Sequence, residues 1–274
     1  MILIDGRPGT HIQALDRGLQ YGHGVFETIA VMDARPLCLD AHLHRLAVGC
    51  RTLGLPEPDM GALAAESVHI VADQSRAVLK IIVTGGVGGR GYQSPPEPMP
   101  ARIVSVHPWP VYPANYRTEG INAVFCQFTL AQQPALAGIK HLNRLEQVLA
   151  RNEIAGTGCP EGIVADTSGA IIEGTMSNIF LRRGKLLLTP DLRQCGVNGI
   201  IRQEILKRAD SMGLEASVRR IERAEILAAD EIFFTNSIIG VWPVRDVGDH
   251  KFGATDVAQR LAQTLLDADC ITPP

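Results

Sequence analysis

Apolar and polar residues alternate and then change period several times along the chain, and each change predicts an element. In "VFETIAVMDARPLCL" β-branched and aromatic residues flank a turn at Asp33 to Pro36, which predicts a strand, the turn, and a second strand or a helix lead-in. The period then lengthens: Leu43, Leu46, Ala47, Cys50 and Leu53 recur at three-and-four spacing up to Gly54, as expected of a helix. Asp59 is placed to cap a second helix in "DMGALAAESVHIVADQ". Two strands follow, "AVLKIIVTGG" and "ARIVSVHPW", and then the proline-rich "PWPVYPANYR", which reads as a linker.

Beyond the linker the pattern becomes strand-rich. "GINAVFCQ" predicts a strand, and "EGIVADTSGAIIEGTMSNIFLRRGKLLLTP" predicts hairpins turned at Asp166 to Gly169 and Arg183 to Lys185. A helix is expected from about Gly199 to Met212, then the strand "EASVRRI", the short helix "RAEILAAD", the strand "EIFFTN" and a closing helix "TDVAQRLAQTLLDA". The expected class is α+β in two parts, a smaller N-terminal α/β domain over residues 1–112 and a larger, mostly antiparallel C-terminal domain over residues 113–274. Between linker and hairpins, "GIKHLNRLEQVLAR" places Leu142, Leu145, Val148 and Leu149 on one helical stripe, expected to pack inward, with Lys140 at its lip.

Composition narrows the partners. The chain has 46% hydrophobic and 20% charged residues with a formal net charge of -3, which describes a packed globular protein without a basic field for nucleic acid. Its six cysteines show no metal-ligand spacing and read as reduced thiols, so no metal site is expected. No stretch approaches the roughly 18 to 20 apolar residues of a membrane span, and the start "MILIDGRPGT" lacks a signal-peptide pattern. The expected location is the cytoplasm.

Candidate chemistry begins with "TGGVGGRG". Gly86, Gly88 and Gly91 satisfy G-x-G-x-x-G after a strand, but "YQSPPEPMP" follows and cannot open the helix a dinucleotide needs. The run reads as a plain hairpin connection or as a substrate-binding loop carrying Arg90. Lys140 has two readings as well: a lysine that snorkels from a helix end, or a partly buried amine whose neutral form is a nucleophile. An amine serving pyridoxal phosphate needs an acid for the pyridine nitrogen and a phosphate cradle. Glu173, ending the strand in "AIIEGTMSNIF", is a candidate acid; it reads equally as a hairpin carboxylate. The glycine-bracketed turn "GVNGIIRQEIL" turns the amides of Ile200 and Ile201 toward an anion, or is an ordinary helix entry. Thr235 and Asn236 offer a hydroxyl and an amide, or form a turn. Arg45, three residues beyond His42, is a solvated arginine or a bidentate phosphate ligand.

Taken together, "DRGLQYGHGVFETI", "HLHRL", "GIKHLNRLEQVLAR", "EGTMSNIF", "GVNGIIRQ" and "FFTNSIIGVWPV" resemble the class IV aminotransferase family, the fold-type IV pyridoxal-phosphate enzymes, in order and spacing over essentially the whole chain. The resemblance implies that Lys140 is the Schiff-base lysine and proton carrier and that Glu173 partners the pyridine nitrogen. It implies a phosphate cup of Arg45, the amides of Ile200 and Ile201, and Thr235 with Asn236, with Ser177 and Val197 near the ring. It also implies a homodimer in which a loop of one subunit helps to close the other's site.

Within the family, "GIKHLNRLEQVLAR", "GGRGY" and the Thr28 of "FETI" are most similar to the aminodeoxychorismate lyases. That implies conversion of 4-amino-4-deoxychorismate to 4-aminobenzoate and pyruvate, with Lys140 and Thr28 catalytic and Arg90 on a substrate carboxylate. The rival expectations are a transaminase for branched-chain or D-amino acids, and a cofactor-holding or dimerising protein without turnover.

Overall fold

A computed structural model describes residues 1–253 and 255–273. The chain forms two compact units, Met1–Pro110 with Ile139–Asn143, and Val111–Gly138 with Arg144–Pro274. The main division, between Pro110 and Val111, lies within the proline-rich segment. Lys140, expected in the C-terminal part, lies in a short segment that groups with the first unit. Residues 139–143 belong to the first unit because their backbone pairs with a strand of its sheet: Phe26 N–H donates to the Lys140 carbonyl and Leu142 N–H to that of Gly24, both at 2.9 Å.

The first unit contains β1 (Ile2–Ile4), β2 (Arg7–Pro8), α1 (Arg17–Tyr21), β3 (Gly24–Met32), β4 (Arg35–Pro36), α2 (Leu39–Thr52), α3 (Met60–Ile70), β5 (Arg76–Thr84) and β6 (Arg102–Pro108). Its six-stranded sheet runs β2-β1-β6-β5-β3-β4 with every pairing antiparallel. Strands β3 and β5 pair over their full length, from Gly24 with Thr84 to Met32 with Arg76. Side chains alternate across a strand, so Val25, Ile29 and Val31 join Leu79, Ile81 and Val83 against Leu43, Leu46, Cys50 and Leu63 of the helices. Phe26, Thr28, Lys80 and Ile82 occupy the opposite, partly exposed face. Asp59 caps α3 as expected, accepting from Ala62 N–H at 3.0 Å.

The second unit contains α4 (Asn115–Thr118), β7 (Ile121–Leu130), α5 (Leu145–Ile154), β8 (Glu161–Asp166), β9 (Ile171–Gly174), β10 (Asn178–Arg183), β11 (Leu186–Pro190), α6 (Ile200–Arg208), β12 (Glu215–Arg219), α7 (Arg223–Leu227), β13 (Glu231–Asn236), β14 (Gly240–Val247), β15 (His250–Lys251) and α8 (Asp256–Asp267). Its nine-stranded sheet runs β12-β11-β10-β13-β14-β7-β8-β9, with β15 on β14. The two predicted hairpins are present as β8–β9 and β10–β11. Parallel strands need a crossover, and α5 and α6 supply two: β7-α5-β8 and β11-α6-β12. The core is aliphatic and aromatic, including Ile163, Ile179, Leu181, Phe234 and Trp242.

One predicted packing face is wrong. Helix α5 begins at Leu145, five residues after Lys140, and Leu145, Val148 and Leu149 are 69%, 51% and 45% exposed. Its buried residues are Ala150 and Ile154. The face bearing Ala150 and Ile154 is the one that packs inward, which leaves Leu145, Val148 and Leu149 on the outer face. Among the described residues no helix is long and apolar enough to cross a membrane.

Candidate active site

In the first unit the site starts from β3. Glu27 points to the core side and is fully buried, with Arg45 and His42 of α2 reaching it from successive turns. Arg45 Nε donates to Oε1 at 2.7 Å and its Nη2 to Oε2, while His42 Nδ1 donates to Oε2 at 2.6 Å. Burial alone would push this carboxyl up; the Arg45 guanidinium and the His42 ring outweigh it and hold the pKa at about 2. Burial lowers the His42 pKa, with Glu27 opposing and the nearby Arg45 and Lys140 charges reinforcing the fall. Arg45, expected in the phosphate cup, thus has its guanidinium plane set by Glu27.

Thr28 lies on the other face of β3, in register with Lys80 of β5. Two lysine side chains approach the Phe26 ring beside it: Lys140 Nζ lies 4.4 Å and Lys80 Nζ 5.5 Å from the ring centroid. Lys140 is therefore held by an extended segment, bridged to Val25 through His141, rather than by the helix that follows. Arg90 is exposed on the loop between β5 and β6, where no helix forms after Gly91.

In the second unit the remaining candidates meet at one end of β9, β10 and β13. Glu173 on β9 is buried, and its Oε2 accepts from Val197 N–H at 2.8 Å. The Val197 carbonyl accepts from Asn178 Nδ2 at 2.8 Å, and Gly138 pairs with Val197, so the loop before α6 is tied down on both sides. Ser177 is buried and donates to Glu161 Oε2 at 2.7 Å; Glu161 Oε1 also accepts from the Thr175 amide at 2.8 Å and from the Thr175 hydroxyl. Ile200 and Ile201 begin α6 behind Gly199, whose cap position uses no side-chain hydrogen bond. A Cβ at Gly199 would collide with Asn178 Oδ1, which explains the glycine.

The side chains of Thr235 and Asn236 shape the loop after β13. The Thr235 hydroxyl donates to Gly240 O at 2.8 Å; Asn236 Oδ1 accepts from the Ile238 and Ile239 amides at 2.8 and 2.9 Å, and its Nδ2 donates to Met176 O at 3.0 Å.

Three residues with parts in these arrangements carry no separate signal in the sequence. Lys80 is a lone polar residue within "AVLKIIV", visible only once the strand register is known. Glu161 organises the turn between β9 and β10 from a distant strand end. Arg202, in the first turn of α6, is buried and donates to Thr189 Oγ1 at 3.2 Å, Asn198 Oδ1 at 2.9 Å and Pro190 O at 3.0 Å, all neutral acceptors. Burial lowers its pKa and Asp191 opposes that. A cation there adds to the positive end of the helix dipole.

The donors fit a phosphorylated pyridine. The uncapped amides and the helix dipole suit a phosphate. Glu173 is a buried carboxylate able to face a ring N–H. Beside it Gln147 Nε2 reaches Glu173 Oε1 at 3.4 Å, while the buried Gln147 Oε1 has no hydrogen-bond partner among the described residues. Such an orphaned acceptor is costly in a dry site and suits one that takes a ligand.

The chain as a whole is similar to proteins of known structure and function. The chain is 43% identical to 4-amino-4-deoxychorismate lyase from Pseudomonas aeruginosa, whose crystal structure superposes with a TM-score of 0.94 over 97% of this chain and 98% of that one. It is 33% identical to aminodeoxychorismate lyase of Vibrio harveyi, across 90% of this chain and 91% of the relative. A hypothetical aminotransferase from Mycobacterium tuberculosis, solved in a PLP-bound form, is 25% identical with a TM-score of 0.84, and 99% of each chain is covered. Residues 24–247, a span that includes every candidate residue placed above, match the family model for amino-transferase class IV, and the chain belongs to that family of enzymes, with pyridoxal 5'-phosphate as its cofactor.

Proposed function

We propose that this enzyme is a lyase that converts 4-amino-4-deoxychorismate to 4-aminobenzoate and pyruvate. The observation that carries the reading is the polar group on the outer face of β3 and β5, where Thr28 is in register with Lys80 and the Lys80 and Lys140 side-chain nitrogens share Phe26. A substrate with two carboxylates and an enolpyruvyl ether needs cations and a proton donor, whereas a branched aliphatic side chain needs an apolar pocket. The sequence likeness to two lyases supports the same choice.

Pyridoxal phosphate, when bound, supplies the electron sink that makes a proton next to the amino group removable. Arg45 and the Ile200 and Ile201 amides are assigned to its phosphate, and Glu173 to its ring nitrogen, with Ser177 and Val197 beside the ring. Thr235 and Asn236 contribute through the loop that their side chains hold. Lys140 Nζ takes the proton from the substrate carbon bearing nitrogen. Lys140 and Thr28 then deliver a proton to the enolpyruvyl methylene. The ether C–O bond breaks, pyruvate leaves and the remaining ring becomes aromatic, so no second substrate is required. Arg90 and Lys80 are assigned to the two carboxylates, each a charge-assisted contact.

We assign the enzyme to a cytoplasmic homodimer. The support for a dimer is the exposed aliphatic row Leu145, Val148 and Leu149, an apolar surface that a second copy would cover.

The test is an absorbance time course of cofactor-loaded protein given 4-amino-4-deoxychorismate without any keto acid. A lyase accumulates 4-aminobenzoate over many turnovers, and the starting cofactor spectrum returns. A transaminase for branched-chain or D-amino acids stops after one equivalent with the cofactor left in its amino form, which would overturn the lyase assignment and leave the family assignment intact.

A further inference from the structure

The glycine-rich run between β5 and β6 has no part in the proton chemistry, and clustered glycines ordinarily mark a flexible connection. Here the run is built around one buried side chain. Arg17, only 3% exposed, donates through Nη2 to Tyr92 O at 2.6 Å and through Nη1 to Gly91 O and Gln93 O, each at 3.2 Å. Its Nε donates to His23 Nδ1 at 3.1 Å, and His23 Nε2 faces the Leu53 carbonyl at 3.0 Å, which leaves Nδ1 as the acceptor nitrogen. The backbone is tied at the same place: Arg17 N–H donates to Gly86 O at 2.8 Å, and Asp16 pairs with Val87. Asp16 Oδ2 accepts from the Thr84 hydroxyl at 2.7 Å, and that hydroxyl accepts from Gly86 N–H at 3.1 Å.

The glycines make room for this clamp. A Cβ at Gly88 would lie 2.9 Å from Arg17 Cδ, and one at Gly85 would lie 2.7 Å from His23 Nδ1. Gly86 and Gly91 take φ of +66° and +99°, turns that bring three successive carbonyls inward onto one guanidinium. With the carbonyls facing in, side chains face out: Arg90 is exposed and Tyr92 is 87% exposed. A fork with several donors can hold consecutive carbonyls in a way that a point ammonium cannot.

We propose that Arg17 is a positioning residue for the substrate, a clamp that converts the glycine run into a rigid arm presenting Arg90 to a substrate carboxylate. The proposal rests on the assignment of Arg90 made above.

The experiment compares cofactor-loaded wild type with Arg17→Met, Arg17→Lys, Gly88→Ala and Arg90→Met. Trypsin cleavage after Arg90 reads the loop directly, because it follows local opening. In Arg17→Met that cleavage is expected to quicken about tenfold or more, and KM for 4-amino-4-deoxychorismate to rise about 10- to 100-fold, with kcat and cofactor affinity little changed. Gly88→Ala, which displaces Arg17 without removing it, shifts both readouts in the same direction and serves if Arg17→Met does not fold. Arg17→Lys does not rescue.

Wild-type cleavage and KM in Arg17→Met and Gly88→Ala would overturn the clamp. Faster cleavage with unchanged KM, while Arg90→Met raises KM, would overturn the positioning role. An unchanged KM in Arg90→Met would instead sink the Arg90 assignment and the substrate role with it, the clamp then being judged by cleavage alone.

Discussion

Replacing Glu27 with glutamine removes the charge at the centre of the Glu27–Arg45–His42 cluster while keeping its size. The carboxyl stands at about 2 against an ordinary value of 4.5, and that difference corresponds to roughly 3 kcal/mol of stability at neutral pH. The same magnitude follows from structure: removing one partner of a buried pair costs about 3 to 5 kcal/mol because the other charge is left uncompensated. Because the folded-state value is depressed, this stabilisation is complete above pH 4.5 and is lost as pH falls toward 2. Wild type should therefore exceed Glu27→Gln by about 3 kcal/mol at pH 7, and the gap should narrow by up to roughly 1.4 kcal/mol per pH unit below the ordinary value. Native-state hydrogen exchange of β3 amides, with urea as denaturant, reads the unit that holds Glu27. A gap below about 1 kcal/mol at pH 7, the range of exposed pairs, or one that stays constant between pH 5 and pH 3, would refute the reasoning.

Other substitutions test the site itself. Lys140→Ala should lose both turnover and the absorbance that a lysine-linked cofactor gives, and full turnover in this variant would end its catalytic role. Glu173→Gln should still bind cofactor, since the amide oxygen can accept from Val197 N–H, but turn over about 100-fold more slowly or worse; wild-type rates would count against its partnership with the ring nitrogen. Gly199→Ala, by pushing Asn178 away from the start of α6, should weaken cofactor binding about tenfold or more, read by equilibrium dialysis, and unchanged affinity would remove the α6 amides from the phosphate cup.

Local patterns were sufficient for many elements. Period-two runs located β3, β5 and the β8–β9 and β10–β11 hairpins, and the three-and-four spacing of Leu43, Leu46, Ala47 and Cys50 identified the buried face of α2. These features depend on neighbours a few residues apart, and several motifs in one order pointed to the family for the same reason. The stripe on α5 shows where this logic stops. Periodicity establishes that Leu145, Val148 and Leu149 share a face, but only packing decides whether the sheet meets that face or the one bearing Ala150. Long-range pairing likewise moved Lys140 into the first unit through β3, set Lys80 beside Thr28 through strand register, and gathered three carbonyls of a glycine run onto Arg17. The sequence by itself determined which elements form and which chemical groups are available. Only the tertiary structure decided which groups meet, because register, burial and ion pairing are contacts between residues far apart in the chain, and no local spacing encodes them.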